Sequence, residues 1–494
     1  MKSPHVHLPT TLHPGLSGKG CHQHASVKEG ACEPLFKALP FKYEKDKGLI
    51  MIDKLKKKSQ YRWFVIALIF ILFMVAQADR ANIGFAIPFI QKEYDLTNSE
   101  IGIIISLFFA GYGLCQIPAG FFVKRKGIRF AYAAGMLLTS IFTFMMGKVD
   151  SVWHLKILRA LVGVSEAPVV ISSTATINNW FPTKEKGTAT GIFLAGSKFG
   201  PLLVPPICAW ILINYDWRHI FLFFSIPGVI LAFIWYLMVR NTPAESRFVN
   251  QQEANYIAEV SSDEGGSNRR FKSRAFRYGV IDRIIRTTKL TPLDSSHSIF
   301  RSWDIYGAAI GYMCMVGIVD GVIMSWLPKY LLQEHNLSIV SSAALAATPF
   351  AGNVVGNLCG GWISDNLLGK RRKPLMMFSA VCTIVMTGLM TAAPQNPYLL
   401  GMLLFCLGFL IALGYSAYSV YAMARASRET YPVAYAIINM GGQLGAVCMP
   451  LIVGVLLDHY SWNAVFITLG IAAALCLIVV LTIREPLPAG AELE

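Results

Sequence analysis

Charge is what this chain has least of. Only 15% of its 494 residues are Asp, Glu, Lys or Arg, where a soluble globular domain carries about 25%. The deficit implies that most of the chain meets lipid rather than water. Cysteine motifs are missing too. None of the ten cysteines is spaced as CxxC. Most, among them Cys115, Cys208, Cys314, Cys359 and Cys406, fall in apolar stretches, so they read as small packing groups and not as disulfides or metal ligands. No HExxH, GxSxG or Gly-rich phosphate loop occurs, so an enzyme is not expected. The first fifty residues lack the apolar core of a signal peptide. With His5, His7, His13, His22 and His24 among Gly, Pro and Lys, they read as a disordered tail. A metal-binding His tract and a true start at Met51 are the alternatives.

What the chain has is long apolar runs. A helix crosses a bilayer with about 20 apolar residues. Twelve stretches qualify, near 62–88, 99–122, 129–149, 151–177, 187–213, 217–240, 303–331, 340–366, 374–394, 397–424, 429–457 and 461–483. Unsatisfied backbone is too costly in hydrocarbon for open strands, so the expected fold class is an all-α integral membrane protein with twelve transmembrane helices. With the N-terminus inside, both termini are cytoplasmic, and 36 of the 44 Lys and Arg lie in inner segments, as the positive-inside rule requires. The net charge of +15 is then an insertion signal, scattered over loops and not gathered into a nucleic-acid surface.

Two similar halves are visible. "GFFVKRKGIR" from Gly120 is answered by "GWISDNLLGKRRKP" from Gly361. "GPLLVP" (200–205) is answered by "GAVCMP" (445–450), and "WRHIF" (217–221) by "WNAVF" (462–466). Three matches in order at a nearly constant offset predict two pseudo-symmetric six-helix bundles, 61–240 and 303–485. They are flanked by a polar tail (1–60) and a short C-terminal tail (486–494). Residues 241–302 form the cytoplasmic linker, in which 276–289 reads either as a basic amphipathic helix on the membrane or as solvated chain. Carriers of two such halves place their substrate between them near the midplane. The Gly352, Gly356 and Gly360 stripe reads as a close-packing helix face.

Arg80, Arg159 and Lys198 are the cations inside spans, and Asp79, Glu166 and Asp320 are acids there. A charge at the bilayer centre costs about 2.5–3.5 kcal/mol on insertion scales, so such groups usually face a working cavity. Arg159 and Glu166 are seven residues apart, close to two helical turns, and share one face. The spacing suggests a coupled pair: ionised Glu166 holds Arg159, and protonated Glu166 frees it for a carboxylate. Asp79 and Arg80 are adjacent, about 100° apart on a helix, and can face different partners. Lys198 is either a further cation for the substrate or the partner of Asp320. That pair would bridge the halves as a gate; unpaired, Asp320 can meet an ammonium. Asn439 and Gln443, one turn apart, offer hydrogen bonds to hydroxyls, as do Tyr415 and Ser419.

These residues resemble the major facilitator superfamily, over essentially all of 55–485. Gly120, Arg125, Gly127 and Arg129 match its loop motif. Its usual acid is replaced by Lys124, while the second-half copy keeps Asp365. "ADRANIGFA" (78–86), "LRALVGVSEAP" (158–168), "NNWFPTKEKGTATGIF" (178–193), "MSWLPKYL" (324–331) and "INMGGQLGAVCMP" (438–450) resemble the anion:cation symporter branch. The resemblance implies proton-coupled uptake of an organic anion such as a sugar acid. It also implies Asp79 and Glu166 as proton sites, and Arg80 and Arg159 as substrate cations. Ser197 stands where sugar-acid carriers often have Gln, and Asn439 at a polar family position. Asp365, like the Asp320–Lys198 pair, is read as a gating residue. The expected partners are a small organic anion and the bilayer, with no nucleic acid and no second copy. No cofactor or metal is expected; protons are the coupling ion. A bacterial inner membrane is the expected location. A proton-antiport exporter and a carrier-fold nutrient receptor are the rival readings.

Overall fold

A computed structural model describes residues 59–262, 285–288, 290–368, 371–427 and 430–486. The polar tail, most of the 276–289 stretch and the C-terminal residues beyond 486 lie outside this range. Among the described residues, twelve helices are long and apolar enough to cross a membrane. The first six are α1 (Tyr61–Tyr94), α2 (Asn98–Lys126), α3 (Ile128–Met146), α4 (Val152–Trp180), α5 (Thr183–Asn214) and α6 (Trp217–Met238). The second six are α7 (Trp303–Gln333), α8 (Ile339–Trp362), α9 (Lys373–Met390), α10 (Pro397–Arg425), α11 (Tyr431–His459) and α12 (Trp462–Thr482). Each expected span is present, and the protein is a multi-pass, all-helical membrane protein.

Local chemistry marks the helix ends. At the end of the molecule where α1 stops, the helices α2, α4, α6, α8 and α10 start at Thr97, Ser151, Asp216, Ser338 and Asn396. Each of these side chains accepts a hydrogen bond from a backbone N–H of the first turn, meeting donors that a helix start otherwise leaves unpaired. At the other end the α2–α3 turn needs glycine. Gly127 has φ +81°, and a Cβ there would lie 2.6 Å from Asn241 Oδ1, the atom that accepts from Arg129 N.

Small residues set how closely the helices pack. A Cβ on Gly352, Gly356 or Gly360 would lie 2.2–2.4 Å from the carbonyls of Phe405, Phe409 and Leu413 on α10. The glycine stripe is therefore a packing face, as its spacing suggested. Gly163 on α4 meets Phe108 O of α2 in the same way, at 2.0 Å.

The middle segment is more than solvated chain. Its helix Gln251–Ser262 places Glu253 against α1, where Arg62 Nη1 (2.8 Å) and Ser59 Oγ (2.6 Å) donate to the carboxylate. Arg62 Nε also donates to Glu185 at the start of α5. Within 276–289, the described residues Thr287–Thr288 pair in parallel with Glu485–Pro486. Beside that pair, Glu485 accepts from the N–H groups of Arg372 and Lys373. Burial pushes its carboxyl up to about 7, against the lowering effect of those donors and of the Lys373 and Arg372 charges.

The two bundles meet through α1–α7, α2–α11 and α5–α8. Their polar contacts are gathered toward the capped end. Asp458 at the close of α11 accepts from the N–H groups of Asn98 (2.7 Å) and Ser99 (2.9 Å) and from Ser99 Oγ. Lys329 of α7 donates to Gln91 and Asn98, and Ser106 Oγ donates to Val447 O. At the opposite end, added Cβ atoms on Gly120, Gly187, Gly191 and Gly361 would meet nothing within 4 Å. Among the described residues no hydrogen bond joins the bundles there. The bundles are thus latched at the capped end, where the hydrogen bonds between them among the described residues lie.

Candidate functional site

Four charged side chains converge where α1, α2 and α4 cross. Asp79 and Arg80 come from α1, Arg159 and Glu166 from α4, and all four are buried, Glu166 with 0% exposure. Arg80 Nε donates to Glu166 Oε1 at 2.8 Å, and Nη2 lies 2.7 Å from the same oxygen. Two aromatic rings of α2 support the cations. The Arg80 guanidinium sits 4.5 Å from the Tyr112 ring centroid and 5.4 Å from that of Phe108. Arg159 lies 4.9 Å from Phe108, so one ring serves both guanidinia through its negative face. The Tyr112 hydroxyl lies close to Arg80 and Gln116.

This arrangement corrects the pairing suggested by sequence. Glu166 pairs with Arg80 and not with Arg159. Seven residues place Arg159 and Glu166 on one face but about 10 Å apart along the axis, and α1 delivers Arg80 into the gap. Arg159 is left without an ion pair or hydrogen bond among the described residues, although the charges of Asp79 and Glu166 act on it. Arg159 Nε, Glu166 Oε2 and Asp79 Oδ2 are buried without hydrogen-bond partners, and Asp79 Oδ1 receives only a long 3.4 Å contact from Asn82. Unmet buried polar atoms of both signs are costly. Their concentration at one spot makes this cluster the candidate site.

A second group faces this cluster. Lys198 of α5 lies with Nζ 4.4 Å from the Tyr415 ring centroid. Asp320 sits in a π-helical turn of α7, Gly317–Ile323, whose other six residues are buried while Asp320 is half-buried. Lys198 and Asp320 act on each other electrostatically, and Arg80 acts on Asp320. The expected Lys198–Asp320 ion pair is absent: no contact within 4.0 Å joins them, because Lys198 rests on the tyrosine ring. Ser419 is half-buried close to Tyr435. Gln443 faces Gly113 of α2, where an added Cβ would lie 3.6 Å from Gln443 Cβ, and leaves Oε1 buried and unpartnered. Asn439 is half-buried one turn away. Ser197 spends its hydroxyl on Leu194 O of its own helix, so it has no proton left for a ligand. Asp365 lies in the π turn Ile363–Leu367, and its side chain falls outside the described residues.

Several participants were hidden in the sequence. Phe108 and Tyr112, four apart on α2, look like ordinary apolar bulk until the guanidinia are placed over them. Asp458 and Lys329 look like end-of-span charges until the halves are brought together.

Twelve spans in two bundles, enclosing buried charge midway along their length, define a membrane transporter. The chain belongs to the Major Facilitator Superfamily, which it matches over residues 69–435 and 345–493; it is not an enzyme. It is 28% identical over 448 residues to the probable L-galactonate transporter of Escherichia coli (strain K12), covering 88% of this chain and 92% of that protein. It is 26% identical to the D-galactonate transporter of Escherichia coli O6:H1, covering 84% and 94%. It is also 24% identical to the hexuronate transporter of strain K12, covering 88% and 96%. Among solved structures, a bacterial homolog of the human lysosomal transporter Spinster, inward-facing and unoccupied, superposes with TM-score 0.67 at 16% identity, covering 86% of this chain and 98% of that one. The D-xylose-proton symporter superposes with TM-score 0.65 at 16% identity, covering 85% and 97%.

Proposed function

We propose that this transporter imports a sugar acid together with protons by alternating access, as a monomer in a bacterial inner membrane. The observation that carries the reading is Arg159: a buried cation without an anion in contact, next to Asp79 and to the Arg80–Glu166 pair. With both termini cytoplasmic, the latched end is periplasmic and the cleft opens inward.

The cluster supports a cycle in which charge decides occupancy. With both acids ionised, Asp79 and Glu166 balance Arg80 and Arg159. A proton on Glu166 removes the partner of Arg80, and a proton on Asp79 removes the acid whose charge acts on Arg159. Either step leaves one cation for the substrate carboxylate, which restores balance. A balanced cluster is cheaper to enclose in low dielectric than a charged one, so the halves rock with proton and anion both aboard or both absent. No cofactor is needed for this. Labelled D-galactonate, offered to proteoliposomes under an imposed inward proton gradient, should accumulate and leak out when a protonophore is added. Accumulation that ignores the protonophore would refute the coupling.

A further inference from the structure

Resting on that reading, we propose that Lys198 and Asp320 form a hydroxyl-reading subsite. It restricts the substrate to an acid with one carboxylate and a neutral, hydroxylated remainder, as in aldonates, against the dicarboxylic sugar acids.

The first half of the cleft offers one cation without a contacting anion, Arg159, since Arg80 is held by Glu166. The facing group offers a cation and an anion together. Lys198 and Asp320 come from opposite bundles and feel each other's charge. They stay more than 4.0 Å apart because Lys198 Nζ rests over Tyr415, which Tyr312 in turn holds edge-on at 5.2 Å. The π turn puts one extra residue into α7 and brings Asp320 out of an otherwise buried segment; such bulges recur at functional sites. Among the described residues neither charged group has a hydrogen-bond partner.

A hydroxyl both donates and accepts, a carboxylate only accepts and an ammonium only donates. Between a separated ammonium and carboxylate, a substrate hydroxyl can accept from Lys198 and donate to Asp320 at once. A second carboxylate would gain Lys198 but meet Asp320, and an ammonium would gain Asp320 but meet Lys198. Each loses to repulsion what it gains and is desolvated as well. The surrounding neutral groups, Tyr415 and the Tyr435–Ser419 pair, favour hydroxyls likewise.

The test uses pairs that differ only at the far carbon: D-gluconate against D-glucarate, and D-galactonate against D-galactarate. Affinities are measured on the purified full chain and by counterflow in proteoliposomes. The wild type should prefer the monocarboxylate of the better-bound pair by about tenfold or more, the scale of one misplaced like charge. Asp320→Asn should erase or reverse that preference, because Lys198 then meets the second carboxylate unopposed. Lys198→Gln should shift selectivity toward 6-amino-6-deoxy-D-gluconate, whose far-carbon ammonium then meets Asp320 alone. Equal or better binding of the dicarboxylate by the wild type overturns the proposal, as does an unchanged preference in Asp320→Asn. Should Asp320→Asn fail to fold, Lys198→Gln decides alone: no gain for the 6-amino acid overturns the proposal. If none of these acids binds or exchanges, the sugar-acid reading falls first and this inference with it.

Discussion

Replacing Asp458 with alanine removes the clearest polar latch between the halves. Its carboxylate accepts two backbone N–H groups and one hydroxyl at the start of α2. A hydrogen bond to a charged group contributes about 1.5–3 kcal/mol when buried. Asp458 is exposed, so water replaces much of each lost contact. Thr97 still caps α2 from its own chain, which limits the loss further. A net weakening of about 1–2 kcal/mol remains, within the range for losing one cap. Because the contact exists only while that end is closed, the whole loss falls on the closed state. The population ratio should move about 5–30-fold toward the alternative state. Spin labels at Asp150 and Gln395, one on each bundle beyond the latched end, read this by pulsed electron resonance in a background cleared of reactive cysteines. The variant should gain a longer-distance population, and Asp458→Asn, which keeps an acceptor oxygen, should gain less. An unchanged distance distribution in the alanine variant would show that Asp458 does not hold the closed state.

Other variants test separate parts of the account. Arg159→Gln should abolish substrate-induced thermal stabilisation in a protein that still folds, since no anion contacts its guanidinium; wild-type stabilisation by the substrate would mean that Arg159 does not hold it. Gly163→Ala forces a methyl to within 2.0 Å of Phe108 O and should cost about 1–3 kcal/mol by overpacking, visible as a lower melting temperature and slower uptake. Glu485 keeps its proton up to about 7 when folded and releases it near 4.5 when unfolded. Its contribution is therefore complete below about 4.5 and is lost as pH rises through 7. Glu485→Gln should accordingly gain in melting temperature relative to wild type across that window, with an upper bound of about 3 kcal/mol at 1.36 kcal/mol per pKa unit. A constant difference would refute the assignment.

The sequence made the spans legible because each is a continuous apolar run, and the halves legible because three landmarks repeat in order. The glycine stripe on α8 was readable for the same reason: spacing alone puts Gly352, Gly356 and Gly360 on one face. Partner choice was not readable. Arg159 and Glu166 share a face on α4, but helix rise separates them, and only the crossing of α1 shows that Arg80 takes the carboxylate. Lys198 and Asp320 could be placed in their helices from sequence, yet the Tyr415 ring that keeps them apart belongs to a third helix. The latch was illegible because Asp458 caps a helix 360 residues away in the chain, through backbone groups that any sequence would carry.

The central claim is that proton binding at Glu166 and anion binding at the cluster are one event. Wild-type protein in vesicles loaded with a pH-sensitive dye should acidify the interior when D-galactonate is added outside without an imposed gradient. Glu166→Gln should exchange labelled for unlabelled D-galactonate yet neither acidify the interior nor concentrate the acid. Internal acidification by the Glu166→Gln protein at the wild-type rate would contradict the account.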